Sequence, residues 1–422
     1  MSPVEKTLPF AAWMLLWVAT LAAQGFATWS VFSHFAAGDY VVPVLATLAV
    51  TQLMKIPLAI LRLRAMGRPT DDAILAIVPI GNLGLAQQLV QAGEVSAEKR
   101  ARAEAAWAGE LSAIAAFQHG ISVVARAIPQ VLLLCVAAAV FATAVNELFM
   151  TKWLELPARL PTGDPWVQGA MIGTAALAIY TAFQFVKYDR STRESWIPTV
   201  FLIPMVILTA ALSFRGMRGM DQQIRLGASF APTLVVMSIR GGFLAAGFIG
   251  LHVAAKEGKL GLAHFGDFIS NTLKRGPSLI GAHAAVVHAV TIGIQVVIPG
   301  IFYSVVYSLV EPAAYFEPQA RSLARSQELT TGIRRRIFKI LALSLMLSTI
   351  PFGVYAVMTQ DPAKLAGAVI DPTTLDWKFW LVWDVLELIA TAVSTVAFAA
   401  VYEERRQLFA DRAAPAEPAA TT

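Results

Sequence analysis

The sequence is poor in charge. Asp, Glu, Lys and Arg make up 14% of its 422 residues, where soluble globular chains carry about 25%. With 57% hydrophobic residues, a soluble fold of this chain would leave large apolar patches in water. An ordinary soluble enzyme is thereby excluded, and a multi-span membrane protein becomes the default. Cysteine is nearly absent. Cys135, in the run Val131-Leu-Leu-Leu-Cys-Val136, is the single one, so there is no intrachain disulfide and no cysteine metal site. Its surroundings read as apolar packing. Nucleotide-binding loops, an HExxH helix and a GxSxG elbow are also missing. No cofactor and no metal is therefore expected.

What is present is apolar length. The mean hydropathy is +0.62, and apolar runs near the ~20 residues that a bilayer requires recur along the chain. They fall at 9–31, 41–61, 121–145, 167–186, 197–213, 233–254, 340–358 and 379–401. The first exceeds a signal-peptide core of roughly 7–15 residues and reads as a retained span. The run 279–316 is too long for one span and contains Pro299-Gly300. That pair favours a break, giving a tight hairpin of two spans, with a single kinked helix as the alternative. The segment 73–90 is apolar but holds Pro79, Asn82, Gln87 and Gln88, with Arg62, Arg64 and Arg68 before it and Lys99, Arg100 and Arg102 after it. Basic flanks on both sides want the cytoplasm, so it reads as interfacial or re-entrant.

The expectation is an all-α polytopic membrane protein of about ten spans. The net charge of +5 then reflects basic loops facing anionic lipid headgroups at the cytoplasmic face, not nucleic acid. With both termini cytoplasmic, the Lys and Arg residues on the outer side are Lys152, Arg159, Arg215, Arg218, Arg225, Lys364 and Lys378, and those within spans are Lys55, Arg126 and Arg240. The remainder lie on the cytoplasmic side. The exception to the bias is 213–232, which places three arginines outside.

Composition divides the chain into an N-terminal membrane unit at 1–255, a C-terminal membrane unit at 256–407 and a tail at 408–422. The tail has little to bury and reads as disordered. The second unit opens at 256–275, where Leu260, Leu262, Phe265, Phe268, Ile269 and Leu273 recur at helical spacing between charged ends. That pattern reads as a helix lying in the interface.

Charges inside spans are the first candidate site. Arg126, Arg240, Asp384 and Glu387 fall in apolar runs. A charge at a span centre costs at least ~2.5–3.5 kcal/mol, so it faces the protein interior and finds a partner. Asp384 and Glu387 share one helix face. They point to an ion or proton path, or to a structural ion pair. Gly241-Gly242 beside Arg240 would let another helix approach closely. The histidines are less informative: His283 and His288 stand about 140° apart around a helix, poor geometry for one metal.

The second candidate is the stretch after the hairpin. It is a basic surface helix broken at Gly332, and it turns into the next span through Arg334, Arg335 and Arg336. That triplet holds lipid phosphates or fixes topology. An acidic residue after the hairpin, then Arg-Ser-x-x-Leu-Thr-x-Gly, resembles the membrane domain attached to some bacterial glycerophosphoryl diester phosphodiesterases and related multi-span inner-membrane families. The matching residues are Glu317, Arg325, Ser326, Leu329, Thr330, Gly332 and Arg336, and the likeness covers about 256–407. It implies a six-helix membrane unit. The phosphodiesterase barrel has no counterpart, because no long polar segment exists to form it, so hydrolysis is not implied. The function expected is a non-enzymatic protein of a bacterial cytoplasmic membrane, acting in envelope or lipid organisation, or as a partner subunit or homo-oligomer. A transporter using the embedded charges is the alternative, and an intramembrane enzyme comes third.

Overall fold

The computed structural model describes residues 12–20, 22–23, 54–64, 72–74, 112–146, 165–192, 222–294, 298–359 and 377–413. All regular structure among them is helical. From residue 112 onward the helices are α1 (Ala113–Arg126), α2 (Ile128–Asn146), α3 (Pro165–Thr192), α4 (Gln222–Lys256), α5 (Phe265–Ile294), α6 (Ile298–Val306), α7 (Val310–Phe316), α8 (Ser322–Thr330), α9 (Arg334–Thr359) and α10 (Trp377–Ala413). Within the described residues three helices are long and apolar enough to cross a membrane: Leu234–Lys256 in α4, Arg334–Tyr355 in α9 and Leu381–Phe409 in α10. The bent pair α1–α2 makes a fourth if it is one span. The expected span at 197–213 lies outside the described residues, as do most of 9–31, 41–61 and 73–90, and residues 414–422 of the tail. Residues 408–413, also read as tail, continue α10.

The run at 121–145, expected as one span, is two helices meeting at 89°. Ala127 separates them, and Pro129 supplies the reason. Its ring excludes the carbonyl four residues back, which would belong to the last turn of α1. In the first turn of a new helix a proline is tolerated, because the N–H it lacks has no partner there anyway. Arg126 therefore ends α1, exposed, with its Nε donating to the Ser122 carbonyl at 3.2 Å.

The chain forms two compact units. One comprises Met1–Phe117 and Phe338–Ala390. Its core gathers Trp13, Trp17, Leu58, Ala59, Leu63 and Ala73. Trp13 and Trp17 stack with centroids 5.3 Å apart, and the Trp13 indole donates to the Leu58 carbonyl at 2.8 Å. Lys55, one of the cations expected within a span, is fully buried with its ammonium over the Trp17 ring at 5.8 Å. Lys339 forms an ion pair with Asp72, and both are buried. Aromatic faces and a paired carboxylate keep these cations from lying bare in apolar surroundings.

The second unit comprises Gln118–Ile337 and Thr391–Thr422. Its centre is the antiparallel pair α4–α5. The apolar window of α4 is 83% buried, so this helix is walled by protein. Hydrophobicity does not draw helices together in lipid, and small residues that let backbones meet do. A Cβ on Gly242 would stand 2.7 Å from the Ile280 amide nitrogen, so the close approach expected at Gly241-Gly242 is made by α5. α5 itself runs unbroken through Pro277. The amphipathic segment expected as a separate interfacial helix is, from Phe265 on, the first part of this longer helix. Membrane helices tolerate proline where neighbouring groups re-satisfy the backbone. α6 and α7 then return alongside α5, with His283 of α5 meeting Glu311 of α7. Pro299 and Gly300 lie in the first turn of α6, and the connection at 295–297 lies outside the described residues.

Candidate functional site

The seven residues of the sequence motif come together in the second unit around the end of α10. Ser326 donates to the Val306 carbonyl at 2.7 Å and accepts from the Leu309 amide at 3.2 Å. Thr330 reaches the same carbonyl at 3.4 Å. These contacts satisfy backbone groups left open where α6 ends. Leu329 is fully buried beside them. Gly332 adopts φ +87°, a left-handed conformation that reverses the chain between α8 and α9 and that costs glycine least. Arg325 binds Glu328 at 2.8 Å and lies 3.4 Å from Glu317. Burial works against its charge, but the hydrogen bond to Glu328 and the two carboxylates outweigh it and raise its pKa.

Within the run Tyr402-Glu-Glu-Arg-Arg406, Tyr402, Glu404 and Arg405 meet this stretch. The buried Tyr402 phenol lies beside Glu317 and Arg325, and its ring stacks on Phe316 at 5.7 Å. Glu404 takes a hydrogen bond from Arg336 at 2.7 Å. Arg405 donates to the Leu329 and Thr331 carbonyls at 3.2 and 2.9 Å, capping the C-terminal end of α8. Of the three arginines read as lipid-phosphate candidates, Arg336 is thus buried and committed to Glu404. Arg335 is half-buried, and Arg334 is exposed with its guanidinium over Phe302 at 5.3 Å.

Glu403 takes part in a chain that sequence reasoning missed. His252, 3% exposed, donates from Nε2 to the Glu403 carboxylate at 2.9 Å, and its Nδ1 lies 3.1 Å from Nε2 of His119. Lys256 reaches the same carboxylate oxygen at 2.7 Å. A carboxylate only accepts, so a neutral His252 carries its proton on Nε2 and accepts from His119 at Nδ1. The result is a line of exchangeable protons from half-buried His119 through buried His252 to half-buried Glu403. A second imidazole–carboxylate pair joins His283 Nδ1 to Glu311 at 2.5 Å. Gly241 makes room for it, since a Cβ there would fall 1.8 Å from His283 Nε2. The side chain of His288 lies outside the described residues. Among the described residues, no three His, Cys, Asp or Glu side chains gather at a metal-sized point.

The embedded charges divide between the units. Arg126 and Arg240 belong to the second, Asp384 and Glu387 to the first. Asp384 is half-buried and Glu387 exposed, and each has an interaction partner. Half-buried Arg240 lines an apolar cleft of about 360 Å³ between α2, α4 and α5, with Leu134, Ala138, Phe141 and Phe243 among its walls. A polar chamber of about 490 Å³ is bordered by Gln130, Lys259, Asn271, Arg275 and Tyr315. Phe268 lines both. Within the chamber wall the Asn271 amide donates to the Tyr315 hydroxyl at 2.9 Å, and the Arg275 guanidinium stands over the Tyr315 ring at 5.3 Å. Gln130, 1% exposed, donates to the Gly261 carbonyl at 3.0 Å and leaves its own carbonyl oxygen without a hydrogen-bond partner. An unpaired buried acceptor costs about 1–3 kcal/mol. Compared with family models, with curated proteins and with solved structures, the chain finds no match in any of the three.

Proposed function

We propose that this chain is a non-enzymatic multi-pass protein of a bacterial cytoplasmic membrane, with about ten spans and both termini cytoplasmic, that organises envelope lipid or serves as a partner subunit. The observation that carries this reading is the use made of the motif. Glu317, Arg325, Ser326, Thr330 and Arg336 bind helix ends and each other, and none of them lines the chamber or the cleft. Polar groups engaged in this way fix a shape and leave nothing directed at a substrate. The resemblance of 256–407 to the membrane domain of glycerophosphoryl diester phosphodiesterases is supported by the same convergence of all seven motif residues at one place.

A transporter is the second reading, favoured by the His119–His252–Glu403 chain. Purified protein in liposomes with an imposed proton gradient separates the two. The scaffold reading expects no proton flux above empty liposomes and lipid or protein partners in the purified material by mass spectrometry. A flux that disappears in His252→Ala would replace it with the transporter.

A further inference from the structure

The polar chamber and the apolar cleft meet at Phe268 and follow α2 in succession, the chamber beside Gln130 and the cleft beside Leu133 and Leu134. The chamber lies against the last turns of α4, at Gly250–Glu257, and the cleft against its earlier turns, at Ile239–Leu244. Along α5 the two share the stretch Asp267–Arg275, the chamber at Asp267, Asn271 and Arg275 and the cleft at Ile269, Thr272 and Leu273, so a cavity with polar side chains and an apolar one lie side by side and match the two parts of an amphiphile. The cleft is rimmed by Leu133 and Leu273, 39% and 60% exposed, so an acyl chain can enter sideways from the bilayer.

The charge in the chamber decides the headgroup. Glu257 is paired with Lys259 at 2.8 Å, and Asp267 is 86% exposed beside His264. Arg275, among the described residues, makes no ion pair and no side-chain hydrogen bond, and its one close aromatic neighbour is the Tyr315 ring. The Tyr315 hydroxyl accepts from Asn271 and so keeps its own proton to donate. A free guanidinium beside a free hydroxyl proton suits a phosphodiester. The orphan Gln130 oxygen nearby is an acceptor for a headgroup hydroxyl.

The geometry points to a built site for one anionic glycerophospholipid taken from the surrounding leaflet, its phosphate at Arg275 and Tyr315 and an acyl chain in the cleft between α2, α4 and α5. Arg240 also lines the cleft. This site rests on the lipid reading above and names its ligand class.

The full-length protein, purified in a mild maltoside, is titrated with phosphatidylglycerol, phosphatidylcholine or glycerol phosphate, following thermal shift and lipid retention by native mass spectrometry. Phosphatidylglycerol is expected to bind at least ten-fold tighter than either of the others. Arg275→Gln is expected to lose ten-fold or more, and Leu133→Trp, at the exposed rim, a similar amount, while each lipid-free variant melts near the wild type. Arg334→Gln, at an exposed arginine that lines neither cavity, is expected to stay within two-fold. Retention of phosphatidylglycerol unchanged in both Arg275→Gln and Leu133→Trp would overturn this site and leave the lipid reading standing. A loss on Arg240→Met but not on Arg275→Gln would overturn the proposed orientation. Wild-type protein that retains no phospholipid at all would overturn the site and the lipid reading together.

Discussion

Arg336 and Glu404 show how a charge survives at the end of a membrane helix. Arg336 is 8% exposed, and its guanidinium reaches both carboxylate oxygens of Glu404, at 2.7 and 3.4 Å. Removing one partner of a buried pair leaves the other charge uncompensated, at a cost of about 3–5 kcal/mol. Glu404 is one-fifth exposed, so water recovers part of this, and Glu404→Gln is expected to destabilise by about 2–3 kcal/mol, read as a lowered Tm in detergent. The double change Arg336→Met with Glu404→Leu should recover most of the loss; a double variant as unstable as the single one would show that the pair contributes by more than mutual neutralisation. The motif residues were legible in the sequence because they cluster within twenty positions of one another. The His119–His252–Glu403 chain was not, because its members stand 133 and 151 positions apart. No local spacing announces such a contact; only the packing of α4 between α1 and α10 in the second unit creates it.

Apolar runs identify helices and say little about their direction. The run at 121–145 has one continuous hydropathy signal, yet α1 and α2 turn by 89° at Ala127. Pro129 carried the information, and a count of apolar residues does not weigh it. Likewise 256–275 looked like an interfacial helix because its amphipathic spacing is real, while its continuation into α5 depends on packing against α4. At Gly242 that packing brings backbone against backbone, since a Cβ there would meet the Ile280 main chain. Backbone cannot move aside as a flexible side chain can, so Gly242→Leu is expected to separate α4 from α5 and cost about 3 kcal/mol or more. Gly258→Leu is the control for added bulk: its Cβ meets nothing within 4 Å, although its φ of +68° brings a backbone cost of about 1 kcal/mol. Gly332→Ala tests the turn between α8 and α9 in the same currency. At φ +87° alanine is expected to lower stability by about 1–2 kcal/mol, seen as a modest Tm decrease with the oligomeric state unchanged. Equal melting of wild type and Gly332→Ala would show that the turn relaxes to another conformation.

For the whole molecule, the positive-inside bias is the strongest statement the sequence makes about orientation. Ten spans with cytoplasmic ends put a reporter fused after Arg406 in the cytoplasm and one at Pro362, between the runs at 340–358 and 379–401, on the other side. α9 and α10 are each long and apolar enough to cross a membrane, and if both do, a reporter between them reads opposite to one after Arg406. The sharper test is 213–232, where Arg215, Arg218 and Arg225 stand on the side that the bias leaves poor in cations. α4 starts at Gln222 and its apolar window only at Leu234, so Arg225 rides on a helical extension before the span. Arg225 still stands within the roughly 15–20 residues of a span end over which the bias is counted, so it weighs against an outer placement of this segment. The ten-span layout nevertheless expects a reporter at Gly216 on the outer side, against its basic neighbours. A cytoplasmic signal there, with Arg406 still cytoplasmic, would require an odd number of changes before α4 to be revised. The loss would fall on the run at 197–213, whose apolar composition alone made it a span.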